Sequence, residues 1–92
     1  MIHIDFVECT YIDSSELRSE AIAAPGTNYD PNYVVVTPIT YNLVGIKVGG
    51  IRKIVDNVNK TITIQLYRNS DYGFTSTDHL QIGLVWFIPS FH

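Results

Sequence analysis

The run Ile2 to Ile12 begins with apolar residues at even positions, Ile2, Ile4 and Phe6, separated by His3 and Asp5. From Val7 the apolar phase moves to odd positions, Val7, Cys9 and Tyr11. A period of two belongs to a strand, and a slip of one position is what a β-bulge or sheet-switching bend produces. Tyr33 to Thr37 reads as a β-branched strand stopped by Pro38, which cannot donate to a ladder. Ile39 to Val48 reads as a long strand, Gly49-Gly50 as a two-residue hairpin turn, and Ile51 to Asp56 as the returning strand. Asn57 to Lys60 makes a second turn, its asparagines tolerating left-handed geometry. Thr61 to Tyr67 alternates cleanly, with Ile62, Ile64 and Leu66 toward a core. Residues 39–67 are therefore expected to form a three-stranded antiparallel meander.

Leu80 to Ile88 is the last strand. Leu80, Ile82, Leu84, Trp86 and Ile88 share one face, yet Val85 and Phe87 make the other face apolar too. A strand apolar on both sides is central or meets a partner. Only one stretch argues for a helix. Asp13 stands where a cap belongs, Glu16 follows three residues later, and Leu17, Ala21 and Ala24 share a helical face. Pro25-Gly26 ends it, so a short helix is expected near residues 14–24. Residues 25–32 and 69–78 are turn and loop chemistry. The fold class that follows is all-β: a small antiparallel β-sandwich or barrel of about six strands.

Composition narrows this to one domain over residues 1–92. Twelve Ile, nine Val, eight Thr and six Tyr favour strands. The net charge is −3, and no dense basic face exists to neutralise phosphates, so no nucleic-acid partner is expected. The apolar runs fall short of the roughly 18 residues of a membrane helix, so no membrane partner is expected either. Cys9 is the single cysteine, so no internal disulfide forms. The start Met-Ile-His-Ile-Asp-Phe lacks a basic, then apolar leader, which points to a chain made in the cytosol without a signal peptide. The charge is unevenly placed. Asp5, Glu8, Asp13, Glu16, Glu20 and Asp30 face only Arg18 in residues 1–31. Lys47, Arg52, Lys53, Lys60 and Arg68 face only Asp56 in residues 32–70. Such a split suits attraction within the fold or between copies.

Catalytic chemistry finds little support. His3 and Asp5 share a strand face, but zinc needs three or four ligands, and Asp78, His79 and His92 add no recognisable spacing. Cys9 sits in an apolar phase and reads as a small buried hydrophobe. No serine lies in a nucleophile elbow, and Gly49-Gly50-Ile51-Arg52-Lys53 is no phosphate loop. No enzyme activity, metal or cofactor is expected.

Two loops carry the aromatic and polar side chains that hold sugars or other proteins. Tyr29, Asn32 and Tyr33 stand in one, and Asp71, Tyr72 and Phe74 in the other. Val85 and Phe87, with Phe91 beyond, are the candidate contacts for another subunit. Two functions compete on these grounds. One is a structural subunit of an assembly, a virion component such as a capsid, spike or tail-fibre protein. It would associate as a symmetric dimer or trimer and with other assembly proteins. The alternative is a carbohydrate-binding or receptor-binding module that takes a glycan on its tyrosine loops.

Overall fold

A computed structural model describes residues 2–38 and 44–88. They form one antiparallel sheet of seven strands: β1 (Ile2–Asp13), β2 (Glu16–Arg18), β3 (Ile22–Ala23), β4 (Val34–Pro38), β5 (Val48–Asp56), β6 (Thr61–Arg68) and β7 (His79–Phe87). The chain is all-β, as its periodicity predicts. Beta6 is central to one half, with β5 on one edge and β2 then β3 along the other. Beta7 is central to the other half, between β1 and β4. Beta1 joins the halves, pairing with β7 over Ile2–Thr10 and with β2 over Thr10–Asp13.

The bent sheet places the inner faces of β6 and β7 against each other. Ile62, Ile64 and Leu66 meet Leu80, Ile82, Leu84 and Trp86, with Val7, Cys9, Leu17, Val34 and Phe74 completing the core. Side chains tie β4 and the loop before it to β5 and the turn after it. Lys53 Nζ donates to the Val34 carbonyl at 3.0 Å, and Asn32 Nδ2 donates to Asn57 Oδ1 at 2.8 Å.

Four expectations are corrected. Residues 14–24 form no helix; they supply β2 and β3, which raises the strand count to seven. Asp13 Oδ1 does accept a backbone N–H two residues on, from Ser15 at 2.8 Å. That bond closes an Asx turn between β1 and β2 instead of capping a helix. Glu16 Oε2 accepts from Arg18 Nε and from Gln65 Nε2, both at 2.7 Å. Leu17, opposite Leu66, reaches the core only if this segment is extended. Between β2 and β3, Ser19 Oγ accepts the Ile64 N–H at 2.9 Å, standing in for a backbone carbonyl in the ladder.

Gly49-Gly50 is not a hairpin turn. Both lie within β5, where Gly49 is the extra residue of a bulge between the Val48–Arg68 and Gly50–Tyr67 pairs. No described glycine has the positive φ that such a turn requires. A short 3₁₀ turn at Gly45–Lys47 precedes β5, so the expected strand to Val48 does not run through these residues. Its beginning, residues 39–43, lies outside the described residues. The β5–β6 hairpin around residues 57–60 does form, with Asp56 Oδ1 accepting the Val58 and Asn59 N–H groups at 3.0 Å. Its left-handed residue is Lys60, at φ 55°.

The change of apolar phase at Phe6–Val7 does not mark a bulge or bend at that point. The register against β7 is unbroken from Ile2 to Thr10; the only irregularity comes later, between Tyr11 and Asp13. Val7 and Cys9 point inward, so His3 and Asp5 share their side. Ile2, Ile4 and Phe6 therefore face outward.

Candidate functional site

Opposite residues of an antiparallel pair share a face. On the outer face Ile2 lies opposite Phe87, and Ile4 lies opposite Val85, which in turn faces Val35 of β4. Phe6 lies opposite Gly83. Ile4 is 51% exposed, Phe6 62%, Val35 53% and Phe87 39%. Tyr33, half exposed, extends the row, its carbonyl accepting the Phe87 N–H at 3.2 Å. The result is one continuous apolar surface across β1, β7 and β4. It ends where Glu8 and His79, which bond to each other, bring charge onto the same face.

The inner face explains why these apolar groups are outside. Asp5 Oδ2 accepts the indole N–H of buried Trp86 at 3.0 Å, and Asp5 Oδ1 lies 3.0 Å from His3 Nε2. The edge of the His3 ring meets Tyr29, with ring centroids 6.1 Å apart. The pair links β1 to Trp86 and Tyr29. Burial, helped by the neighbouring Glu8 charge, pushes the Cys9 thiol up to about 12, far from nucleophilic reactivity.

The outer face of the other half is polar. Arg18, Glu16, Gln65 and Tyr67 form one chain of hydrogen bonds, ending in the Tyr67 hydroxyl on Gln65 Oε1 at 2.6 Å. The salt bridges among the described residues are His3–Asp5, Arg18–Glu16, Lys47–Asp78 and His79–Glu8. None joins the basic stretch 32–70 to the acidic stretch 1–31.

The expected loop residues are not brought together. The loop with Tyr29, Asn32 and Tyr33 sits beside Asn57, before β6 begins, whereas Asp71, Tyr72 and Phe74 follow its end. Eight residues of β6 separate the two ends by about 25 Å. Asn32 is engaged by Asp30 and Asn57, and Tyr29 is half-buried on the core. Asp71 and Tyr72 are exposed, their N–H groups both donating to Asn69 Oδ1. Phe74 is the correction. It is 3% exposed and its N–H donates to the Ser14 carbonyl at 2.9 Å, so it is core and offers no binding surface.

Val85 and Phe87 lie on the apolar outer face; Phe91 lies outside the described residues. Ile2, Ile4, Phe6 and Val35 belong to the same surface and were not singled out by sequence reasoning. Strict alternation with His3 and Asp5 was their signal, once Trp86 is seen to need an acceptor. Among the described residues no helix is long and apolar enough to cross a membrane. No protein-family model, curated protein or solved structure matches the chain.

Proposed function

We propose that the chain is a non-enzymatic structural subunit that assembles with copies of itself through the outer face of β1, β7 and β4. The observation that carries this reading is the unbroken register of Ile2, Ile4, Phe6, Val35, Val85 and Phe87 on one exposed face. Single exposed apolar side chains are ordinary, but a contiguous group of this kind marks an interaction surface. Covering it with an identical face gives a closed, cyclic dimer or trimer, with an interface of roughly 800 Å² per subunit. A virion is the setting that the composition suggests; the geometry supports self-association.

Sedimentation velocity at low micromolar concentration tests the reading. A symmetric oligomer is expected, and Phe87→Asp should convert it to folded monomer. A wild-type monomer over the whole concentration range would overturn it. It would also favour the binding module, for which Tyr33 and Tyr72 remain exposed but far apart.

A further inference from the structure

We infer that a second copy of this chain joins at the edge of β1 that no described strand takes, strand against antiparallel strand, with Ile4 on the two-fold axis. The inference rests on the self-association reading for its partner, a second copy, but moves the contact to the strand edge beside the apolar face, so that the two faces are joined side by side and not laid one on the other.

Hydrogen-bond direction alternates along an antiparallel strand, so each residue's N–H and C=O serve one neighbour only. The Phe87 N–H goes to Tyr33, on the β4 side. Trp86, Leu84, Ile82 and Leu80 therefore turn their backbone groups to β1, opposite His3, Asp5, Val7 and Cys9. The N–H and C=O groups of Ile2, Ile4, Phe6 and Glu8 point to the other edge. Beta2 takes that edge only from Thr10 onward. Beside residues 6–12 the sheet forks, leaving a groove of about 490 Å³ lined by Phe6, Glu8, Thr10, Arg18, Glu20 and Ile22. Among the described residues no strand pairs with the edge over Ile2–Glu8. A bare edge of this length, carrying Ile2, Ile4 and Phe6, is a template for another strand.

The sequence of the edge selects its own copy and fixes the register. Only even positions offer backbone groups there, so even must pair with even. Centring on His3 or Asp5 would set that residue against itself, histidine on histidine or carboxylate on carboxylate. Centring on Phe6 would set Ile4 against Glu8. Centring on Ile4 sets Ile4 against Ile4, Ile2 against Phe6, and His3 against Asp5. Every cross-strand pair is then apolar with apolar, or an imidazole facing a carboxylate that can accept its N–H, and no like side chains with charge meet. The join also runs the apolar outer face of one copy into that of the other, and leaves Glu8 beyond the ladder.

Amide hydrogen exchange on the unmodified protein, at assembling concentration and at high dilution, reads this directly. The Ile2, Ile4 and Phe6 amides should become protected on assembly while the Glu8 amide continues to exchange freely. Ile4→Pro is the companion variant. Its ring removes an N–H that β7 does not use, and an edge strand tolerates it. It should keep the strand signal in far-ultraviolet circular dichroism and lose the oligomer in sedimentation. An oligomer in which the Ile4 and Phe6 amides exchange as fast as that of Glu8 would overturn the edge pairing while leaving self-association through the face intact. So would a folded Ile4→Pro that assembles like wild type. A monomeric wild type would overturn both. If Ile4→Pro fails to fold, the exchange pattern decides alone.

Discussion

The indole N–H of Trp86 donates to Asp5 Oδ2 at 3.0 Å, across the inner face of neighbouring strands β7 and β1. Trp86 is fully buried, so its one polar hydrogen needs an acceptor inside the protein. Asp5 supplies it and so fixes which side of β1 faces the core. The exposed surface of Ile2, Ile4 and Phe6 is the other consequence of that bond. Asp5→Ala should cost about 1–3 kcal/mol, the penalty for a buried donor without a partner. Asp5→Asn, which keeps an acceptor oxygen, should recover most of it. Urea unfolding of the two variants checks this; equal losses would show that the charge, not the acceptor, matters.

How much of this was legible depends on whether a local pattern has one physical solution. Ile62, Ile64 and Leu66 alternate with polar residues, and all three are buried. Beta1 has the same period with apolar groups on both parities, and period alone does not say which parity faces inward. That was settled at long range, by Trp86 and by Cys9 against the Ile64 carbonyl. Asp13 and Glu16 satisfy the chemistry of a helix start equally well as an Asx turn and a strand-borne carboxylate. Val85 and Phe87 were legible as one half of the apolar face because their strand is unambiguous. Ile2, Ile4 and Phe6 were not, because they look like core.

Gly49 and Gly50 are adjacent, yet the structure demands only the first. A Cβ on Gly49 would lie 2.7 Å from the Arg68 carbonyl oxygen and 2.8 Å from Asn69 Cα, both backbone atoms that cannot step aside. A Cβ on Gly50 would meet nothing within 4 Å. Gly49→Ala should therefore open the bulge and destabilise the β5–β6 hairpin by about 1–3 kcal/mol, the range for overpacking. Gly50→Ala should be neutral within about 0.5 kcal/mol. Thermal melts of both variants make the comparison, and a larger loss at Gly50 would contradict the bulge assignment.

Lys47 Nζ donates to Asp78 Oδ2 at 2.7 Å, and the Thr75 N–H donates to the same oxygen at 2.8 Å. The ammonium first and the amide second hold the Asp78 carboxyl below its usual range. Asp30, bonded by Asn32, and Asp56, bonded by Asn59, are lowered in the same sense. A carboxyl lowered by folding stabilises the protein above its unfolded pKa, about 3.9, and loses that contribution as pH falls through the folded value. The melting temperature should thus be steady from neutrality to about pH 5 and fall below about pH 4. Asp78→Asn should melt lower than wild type at pH 7, with the gap narrowing toward pH 3. A gap of constant size at both pH values would show that Asp78 acts through packing, not charge.

Phe74 and Tyr72 are two residues apart in one loop and should respond very differently to truncation. The Phe74 ring is buried in the core and its N–H is bonded to Ser14, so the loop is anchored where β1 turns into β2. Phe74→Ala removes a whole ring from a filled site and should cost about 3–5 kcal/mol. The Tyr72 side chain is 48% exposed, while its backbone N–H, not its ring, holds the turn through Asn69. Tyr72→Ala keeps that N–H and should change stability by no more than about 0.5 kcal/mol. Chemical denaturation of the two variants under identical conditions measures the difference. A large loss for Tyr72→Ala would mean that its exposed ring braces the loop, and would remove it from the residues free to meet a ligand.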